Sequence, residues 1–500
     1  MTEPLIELRS IGKRFAGVRA LDGVSLAIMP GEIHCLAGEN GSGKSTIIKI
    51  MSGVHKPDEG EIRIDGKTVP GLTTRESIRH GVQVIYQDFS LFGNLTVAEN
   101  LALNTALRER RKFVNWGGVR ALARRALERL DVDLDLDAEV GSLPTAGKQI
   151  VAIARALMSD ARLLIMDEPT TALTRHEVDA LFRIVRDIQR QGIAVLFVSH
   201  KMREMLEISE QLTVIRNGRK VVEGPTGDFD EASITRAMTG QDIRDERYVW
   251  TPPAGAAPAP RLEMRGLTLP GAFEDLNLTL RPGEIVGLSG LLGSGRTDMA
   301  LALFGLETGW TGELRIDGEP VRLRNVQEAI RHGVSYVPED RLTEGLFLNQ
   351  SINRNMLASS YEEHARLSVI DRPVVNDLAQ RMIAAMHIAT PSGEKPVGQL
   401  SGGNQQRVVI ARWLLTDARV LILNGPTVGV DVGSKAEIHR IIRGLARDKG
   451  LSVLMISDDV PELVQNCNRI VVMHRGRFVQ ELDAATTTEE QVGDLLKGLR

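Results

Sequence analysis

The sequence predicts an α/β fold made of two tandem domains, each built on a largely parallel sheet. Short segments of the first half recur in the second half at a constant spacing, as when residues 30–33 return as residues 282–285. Within each half, short β-branched runs alternate with amphipathic helical stretches, which is typical of a parallel sheet covered by helices. The chain is therefore a duplicated domain and not a short-period solenoid.

Length and composition are those of an ordinary globular chain. At about 150 residues per domain, 500 residues allow two or more domains, and 42% are hydrophobic and 25% charged. There is no run of 18 apolar residues and no N-terminal leader pattern, so neither a membrane span nor secretion is expected. The two cysteines, Cys35 and Cys467, exclude a disulfide framework and favour a reducing cytoplasm. The net charge of −4 gives no indication of nucleic-acid binding.

The repeat also predicts the domain boundaries. The matching segments are 30–33 with 282–285, 60–66 with 312–318, and 78–82 with 330–334. Residues 251–260 lie between the copies and are too rich in proline for a helix or a central strand. We predict a first domain over residues 1–248, a linker over 249–260 and a second domain over 261–500. Within the first domain, we expect buried strands at residues 33–37, 163–166 and 194–198.

A phosphate-binding loop follows the first of these strands. Residues 38–45 fit the pattern G-x-x-x-x-G-K-[ST], and a helix is predicted to follow. In such a loop the glycines let backbone N–H groups reach phosphate oxygens. We expect Lys44 to neutralise the β- and γ-phosphates and Ser45 to ligate Mg²⁺; a glycine-rich turn beside a solvated lysine is the alternative. The predicted nucleotide-binding residues here are Gly38, Glu39, Asn40, Gly41, Ser42, Gly43, Lys44, Ser45 and Thr46.

Candidate catalytic groups follow the other predicted strands. Asp167 and Glu168 end one strand, where Asp167 would hold Mg²⁺ and Glu168 would polarise the attacking water. His200 ends another strand and would donate a hydrogen bond to the γ-phosphate. Gln87 is a candidate to sense Mg²⁺ or the attacking water. Taken singly, the acidic pair could be solvated or cap a helix and the histidine could be structural. Their order along a chain with a phosphate loop favours function.

In this order the residues resemble those of ATP-binding cassette (ABC) ATPases, and the resemblance covers nearly the whole chain twice. It implies ATP and Mg²⁺ as ligands. It also implies a helical subdomain and an antiparallel β subdomain beside each parallel core. Phe15 stands where the family stacks an aromatic ring on adenine, although packing in an edge strand is the alternative. Residues 171–174 match the family's D-loop.

The family signature is intact only in the second half. Residues 400–406 read Leu-Ser-Gly-Gly-Asn-Gln-Gln and precede a predicted helix. The resemblance implies that Ser401, Gly402 and Gly403 close over the ATP held by the opposite domain. Together with the first-half motifs they form a composite site that we call site one, in which the following residues agree with the family consensus: Lys44, Ser45, Gln87, Asp167, Glu168, His200, Ser401, Gly402 and Gly403.

The opposite composite site, site two, is altered in every motif. Arg296 replaces the loop lysine, and a planar guanidinium does not reproduce a compact ammonium. Asn424 and Gly425 replace the two carboxylates. The remaining changes are Glu339 for the glutamine, Asp458 for the histidine, and Pro144, Thr145 and Ala146 in the first signature. Because every loss falls on one site, we predict hydrolysis at site one only, with site two at most a weak nucleotide clamp.

The chain resembles, in particular, the fused ATP-binding subunits of bacterial monosaccharide importers of the ribose, galactose and xylose type. Arg296, residues 338–341 (Pro-Glu-Asp-Arg) and residues 429–433 carry this resemblance, and Asn424–Gly425 departs from it. It implies a peripheral subunit at the cytoplasmic face of the bacterial inner membrane that drives import of a sugar or polyol. The implied partners are two permease subunits and, through them, a periplasmic solute-binding protein, with no nucleic acid.

Coupling to the permease is expected near residues 87–100 and 339–352. Phe89, Leu91 and Phe92 are candidate contacts, with burial inside the domain as the alternative. Two other functions stay open. A tandem ATPase acting on ribosomes or DNA is disfavoured by the negative charge and the short linker. A nucleotide-sensing scaffold without turnover is disfavoured by the complete site one.

Overall fold

The chain folds into two compact units, Met1–Ile243 and Arg244–Arg500. Both units repeat one order of strands and helices, as the sequence repeat predicts, and the described part of the second unit has in addition a short antiparallel strand pair at residues 365–366 and 369–370. The computed structural model describes residues 3–15, 18–108, 115–130, 132–170, 173–240, 247–251, 258–366 and 369–499.

The first unit contains an antiparallel sheet and a larger, mainly parallel sheet. The antiparallel sheet has the strand order β2-β1-β4-β5, and the larger sheet has the order β10-β9-β3-β8-β7-β6. In the larger sheet β10 pairs antiparallel with β9, and the other neighbours are parallel. The strands are β1 (Ile6–Phe15), β2 (Val18–Ile28), β3 (Ile33–Ala37), β4 (Glu59–Ile64), β5 (Lys67–Thr68), β6 (Val82–Ile85), β7 (Leu163–Asp167), β8 (Ala194–Ser199), β9 (Gln211–Arg216) and β10 (Arg219–Pro225).

The parallel strands are buried on both faces, which explains their continuous apolar runs. Successive residues of β7 show this directly. Leu163 and Ile165 belong to the core between the two sheets, whereas Leu164 and Met166 belong to the core under the helices on the other face. The larger sheet is therefore the central layer of the unit.

The helices of the first unit cover this sheet and form a separate helical layer in which α3, α4 and α5 contact one another. Several of them begin with capping boxes, formed by Thr73 with Glu76, by Thr174 with Glu177 and by Asp230 with Ser233. The helices are α1 (Lys44–Met51), α2 (Thr74–Arg79), α3 (Val97–Arg108), α4 (Trp116–Glu128), α5 (Thr145–Leu157), α6 (Arg175–Arg190), α7 (Met202–Ile208) and α8 (Glu231–Thr239).

The second unit repeats this plan. Its antiparallel sheet has the order β12-β11-β14-β15 and its mainly parallel sheet the order β16-β19-β20-β13-β21-β22. The strands are β11 (Leu262–Leu269), β12 (Phe273–Leu280), β13 (Ile285–Gly290), β14 (Thr311–Ile316), β15 (Glu319–Val321), β16 (Val334–Val337), β17 (Ala365–Arg366), β18 (Val369–Ile370), β19 (Val420–Asn424), β20 (Ser452–Ile456), β21 (Arg469–His474) and β22 (Arg477–Asp483). The helices are α9 (Arg296–Leu303), α10 (Val326–Arg331), α11 (Ile352–Leu357), α12 (Arg372–Ala385), α13 (Gly402–Leu414), α14 (Val432–Lys449), α15 (Val460–Asn466) and α16 (Glu489–Gly498).

The predicted fold class is confirmed. Each unit has a mainly parallel sheet, an antiparallel sheet and a helical layer, and the strands expected at residues 33–37, 163–166 and 194–198 are β3, β7 and β8. Among the helices in the described part of the chain, none is both long enough and apolar enough to cross a membrane.

Residues just before the proline-rich segment belong to the second unit and pack against the rest of it. The Tyr248 hydroxyl donates to the carbonyl of Gly283 (2.8 Å), and the indole N–H of Trp250 donates to that of Pro282 (3.1 Å). The Arg247 guanidinium donates to three backbone carbonyls of the same unit. Residues 252–257 of the predicted linker lie outside the described residues, so the boundaries at 248 and 261 stay predictions.

Candidate active site

The phosphate-binding loop of the first unit joins β3 to α1. Gly38 leaves the strand so close to β9 that a Cβ atom there would lie 2.3 Å from the Ile215 carbonyl oxygen, and only glycine fits. The Lys44 ammonium donates to the carbonyls of Gly38 (2.6 Å) and Glu39 (2.9 Å) and is buried. The exposed residues Asn40 and Gly41 form the loop tip, and Ser45 is exposed on the first turn of α1. A positive group is thus held inside a loop that ends at a helix N-terminus.

Strand register brings the remaining first-unit groups to the same sheet edge. Ala37 of β3 pairs with Ser199 of β8, and Asp167 of β7 pairs with Val198 of β8. The residues that follow, Gly38, Glu168 and His200, therefore stand next to one another at the carboxyl ends of parallel strands. Ligands bind at this edge in open α/β sheets.

The carboxylates at this edge have different environments. The Glu168 carboxylate lies 3.1 Å from His200 Nδ1, and this hydrogen bond holds the pKa of Glu168 below its usual range. Burial, together with the neighbouring Glu168 charge, raises the pKa of Asp167. The backbone of Glu168 has a φ of 49°, an unfavourable left-handed conformation that its neighbours impose. The geometry keeps an ionised carboxylate beside a histidine, as a water-polarising group requires.

Gln87 and Phe15 are less enclosed. Gln87 follows β6, the strand next to β7, and is exposed. Phe15 ends β1 with 40% of its surface exposed, and its ring packs edge-on against His55 with centroids 5.1 Å apart. An aromatic ring presented in this way is available for stacking. Of the predicted D-loop, Thr171 and Ala172 lie outside the described residues.

Sequence reasoning missed the group that anchors this edge. Glu204 on α7 is buried and accepts hydrogen bonds from the Thr170 and Ser199 hydroxyls. Lys201 pairs with Glu204 at 3.1 Å and donates to the Thr170 carbonyl at 3.1 Å. The segments after β7 and β8, which carry Glu168 and His200, are thus tied to one carboxylate. The repeat could have revealed it, because Glu462 occupies the same place in the second unit with Thr427 and Ser457 as donors.

At the corresponding sheet edge of the second unit, the loop arginine is bound by groups of its own unit. Arg296 is 9% exposed, and its guanidinium donates to Asp458 (2.7 Å), the residue at the His200 position. It also reaches Ser294 Oγ and the Ser457 carbonyl. The Asn424 amide donates to the Thr297 hydroxyl (3.4 Å) and the Tyr336 hydroxyl (3.3 Å). Arg296, the cation that would bind a phosphate, is therefore already paired with the Asp458 carboxylate.

The intact signature begins α13 of the second unit. Ser401 is the N-cap, and its hydroxyl accepts a hydrogen bond from the Asn404 amide at 2.8 Å. Gly403 packs so tightly on α14 that an added Cβ would lie 2.3 Å from both Cβ and Oγ of Ser434. In the first unit the matching helix α5 begins after Pro144, which has no N–H to offer an anion.

The first-unit residues fit ATP and Mg²⁺ by the chemistry of their donors. Magnesium takes oxygen ligands and keeps several waters, so one hydroxyl, one carboxylate and phosphate oxygens suffice. Ser45 and Asp167 are the hydroxyl and the carboxylate that would supply that pair. In the second unit Thr297 and Asn424 at the same positions are within hydrogen-bonding reach of each other, but an amide nitrogen turned toward a hydroxyl is not a cation site. Among the described residues no cluster of three or more His, Cys, Asp or Glu side chains is placed to hold a metal by itself.

The fold and the site define a tandem P-loop ATPase. Comparison with known proteins agrees: the ABC transporter family model matches residues 21–171 and 273–428. The chain is 44% identical over 492 residues to "Ribose import ATP-binding protein RbsA 1" of Rubrobacter xylanophilus, covering 98% of this chain and 97% of the relative. It is 41% identical over 494 residues to "Putative ribose/galactose/methyl galactoside import ATP-binding protein 1" of Burkholderia lata, covering 98% and 96%. A solved ATP-binding cassette of an ABC transporter in its ADP conformation is 28% identical, covering 47% of this chain and 94% of that one, with a TM-score of 0.42.

The chain belongs to the ABC transporter family and is one of its ATP-binding ATPases. The resemblance drawn from the motifs is therefore confirmed.

Proposed function

We propose that this chain energises sugar import by hydrolysing ATP at site one alone, with the second half as a structural partner. The observation that carries the proposal is the contrast between the two sheet edges. In the first unit Glu168 is ionised and paired with His200, whereas in the second unit Asn424 and Gly425 stand in place of the carboxylates. Without a carboxylate after β19, the second unit has no group to polarise water.

In the proposed reaction, the amides of residues 38–46 and the Lys44 ammonium bind the phosphates of ATP. Glu168 orients and polarises the attacking water, and His200, held by Glu168 through Nδ1, turns its other ring nitrogen to the γ-phosphate. Ser45, Asp167 and Gln87 would hold Mg²⁺, which offsets the phosphate charge when bound. Phe15 stacks on adenine. Ser401, Gly402 and Gly403 complete site one through the serine hydroxyl and the amides that begin α13.

Site two is proposed to turn over no nucleotide. A γ-phosphate would have to displace or repel the Asp458 carboxylate that Arg296 binds at 2.7 Å. The first signature offers Pro144, Thr145 and Ala146 in place of a serine and two glycines. Binding at site two is therefore weak, and hydrolysis is absent.

The sugar assignment rests on the relatives, which are named as ribose and galactoside import ATP-binding proteins and span nearly the whole chain. By analogy the partners are two permease subunits, with a periplasmic solute-binding protein acting through them. The chain would then be peripheral to the cytoplasmic face of the inner membrane. These relatives do not favour the alternative of a ribosome- or nucleic-acid-directed ATPase.

The permease contact is proposed at the segments after Gln87 and Glu339. Phe92 is 50% exposed, and the buried Asn100 binds both its N–H (2.9 Å) and its carbonyl (2.9 Å). The second unit repeats this arrangement with the exposed Phe347 and the buried Asn355. An aromatic side chain presented by a fixed backbone suits docking. Phe89 and Leu91 instead pack partly against the helical core.

The test is Mg²⁺-ATP turnover by the purified chain with its permease subunits. Glu168→Gln keeps the shape of the side chain, removes the charge and is expected to abolish turnover, as is Lys44→Ala. Asp458→Ala, a change at the site-two position that matches His200, is expected to leave turnover in place. Substantial hydrolysis by Glu168→Gln would show that site two is active and would contradict the proposal.

A further inference from the structure

An arginine of the second unit joins three of its functional segments. Arg341 is the last residue of the Pro-Glu-Asp-Arg segment that follows β16. Its guanidinium donates to the carbonyls of Val428 (2.7 Å) and Gly429 (3.3 Å) in the loop after β19. Its Nε lies 3.4 Å from Gln405 Oε1, one turn into the signature helix α13. A single guanidinium thus connects the segment after β16, the loop after β19 and the signature helix by hydrogen bonds.

The arginine is fixed at its backbone end as well. The Asp340 carboxylate accepts hydrogen bonds from the N–H groups of Leu342 (2.9 Å) and Thr343 (3.3 Å) and from the Thr343 hydroxyl (2.7 Å). These bonds close the single π-helical turn Arg341–Gly345. With both ends of the side chain held, the guanidinium has a defined position.

The signature is shaped around this guanidinium. A Cβ atom on Gly402 would lie 2.8 Å from Arg341 Nη2 and 3.1 Å from the Gly429 carbonyl oxygen. The absence of a side chain at Gly402 therefore lets the arginine and the loop approach the first turn of α13. This gives Gly402 a packing role in addition to the anion-binding role proposed for its N–H.

In the first unit the arginine that joins the corresponding segments lies on the helix and not on the segment after the strand. Position 89, which matches Arg341 in the repeat, is Phe89, and its carbonyl accepts a hydrogen bond at 3.2 Å from Arg155 of the helix α5. Arg412, the counterpart of Arg155, is turned to Asn355 instead, with Nε 2.7 Å from the Asn355 carbonyl. The Arg341 link is therefore specific to the unit that carries the intact signature.

We propose that Arg341 is a positioning residue for ATP hydrolysis at site one, because it orients the signature residues Ser401 and Gly402 against the loop after β19. The inference rests on the proposed function, in which those residues complete site one. The carbonyls of Val428 and Gly429 are at the surface, so water can replace the arginine as their partner. Loss of Arg341 therefore costs orientation and little stability.

The experiment uses the full-length chain with its permease subunits. Misplacing a group that completes a reacting site can cost about 100-fold in rate, so we expect Arg341→Ala to lower kcat by about 10- to 100-fold. The Kd for ATP in EDTA, measured in the Glu168→Gln background, is expected to stay within about twofold, because the P-loop binds the phosphates. Arg341→Lys should recover only part of kcat, since an ammonium cannot make the several coplanar hydrogen bonds that a guanidinium makes. Free guanidinium ion should restore turnover to Arg341→Ala but not to Glu168→Gln.

The matched control is Arg381→Ala, an exposed arginine on α12 of the same unit that pairs with Asp377 and is expected to leave kcat unchanged. A normal kcat in Arg341→Ala, with Glu168→Gln inactive, would overturn the inference and leave the proposed function standing. Turnover surviving Glu168→Gln would instead remove the proposed function and the site-one role of Arg341 with it. If Arg341→Ala fails to fold, Arg341→Lys decides: full kcat in that variant also overturns the inference.

Discussion

The tight packing of Gly403 against Ser434 makes Gly403→Ala an informative substitution. The new Cβ would lie 2.3 Å from both Cβ and Oγ of Ser434, about 1 Å inside ordinary contact distance. The hydroxyl can turn away by rotation, but Cβ of Ser434 is bonded directly to the α14 backbone and cannot, and Ile438, Ile442 and Ala446 hold that helix in the core. The overlap can therefore be relieved only by moving α13 away from α14, which displaces the signature.

Overpacking of this kind costs about 1–3 kcal/mol, and the higher helix propensity of alanine returns less than about 1 kcal/mol. Because the overlap with a fixed Cβ is large, the cost lies at the upper end of that range, about 3 kcal/mol, and we expect a net loss of about 2 kcal/mol in the free energy of unfolding of the second unit. For a unit of this size the transition midpoint in calorimetry falls by roughly 4–8 °C. Turnover at site one is expected to fall further than stability explains, because the signature moves.

The partner substitution Ser434→Gly tests the cause. It removes the Cβ and Oγ atoms that the alanine would meet. The backbone N–H of residue 434, which donates to the Asp431 carboxylate at the N-terminus of α14, is kept. The double variant is therefore expected to be more stable than the sum of the two single changes predicts, with turnover partly restored. An unchanged midpoint and unchanged turnover in Gly403→Ala would refute the reasoning, as would a double variant that shows no recovery.

Three other predictions follow from the structure. Glu462→Gln should lower the midpoint of the second unit by an amount corresponding to about 2 kcal/mol at neutral pH, because charge-assisted hydrogen bonds to a buried carboxylate are lost. Burial works to raise the pKa of Glu462, but hydrogen bonds from His439, Ser457 and Thr427 outweigh it and leave that pKa below the usual range. The difference in the free energy of unfolding between wild type and Glu462→Gln is thus largest above the usual glutamate pKa, and it shrinks as the pH falls through the lowered pKa. Thermal melts across acidic pH will measure this difference. A difference that does not depend on pH would contradict the prediction. In the Glu168→Gln background, Asn424→Asp with Gly425→Glu should not restore hydrolysis, because Pro144 and the Arg296–Asp458 pair remain; steady-state phosphate release above the background would show otherwise. Finally, Phe92→Ser should weaken stimulation of the ATPase by the permease several-fold with an unchanged midpoint, since the ring is half exposed, whereas Phe89→Ser should lower the midpoint; equal effects on both readouts would argue against a docking role for Phe92.

Local signals in the sequence were enough for the elements that position the site. The strands β7 and β8 are short apolar runs that end in polar residues, and the loop after the buried strand β3 carries its glycines at fixed spacing. Strands buried on both faces need such runs, and a phosphate loop needs such glycines. The asymmetry between the two halves was also readable, because the repeat places each altered residue opposite its intact counterpart.

The hydrogen-bond and packing partners of these residues could not be predicted from the sequence. Glu204 stands among several acidic residues of α7 and its surroundings, and nothing in its local pattern distinguishes it as the anchor of Thr170 and Ser199. The packing of Arg247, Tyr248 and Trp250 against the rest of the second unit was missed for the same reason. A proline-rich stretch marks a break in regular structure, but it does not say which unit the residues before it contact.

The sequence by itself determined the fold class, the duplication, the motifs and the half of the chain that keeps its carboxylates. These are properties of composition and of spacing along the chain, and they can be determined without knowledge of any tertiary contact. Only the tertiary structure decided that Arg296 binds Asp458, 162 positions away, and that Arg341 reaches Val428, 87 positions away. The physical reason is that strand order and register, set by the burial of whole sheets, choose which of many charged and polar groups come within a hydrogen bond of each other.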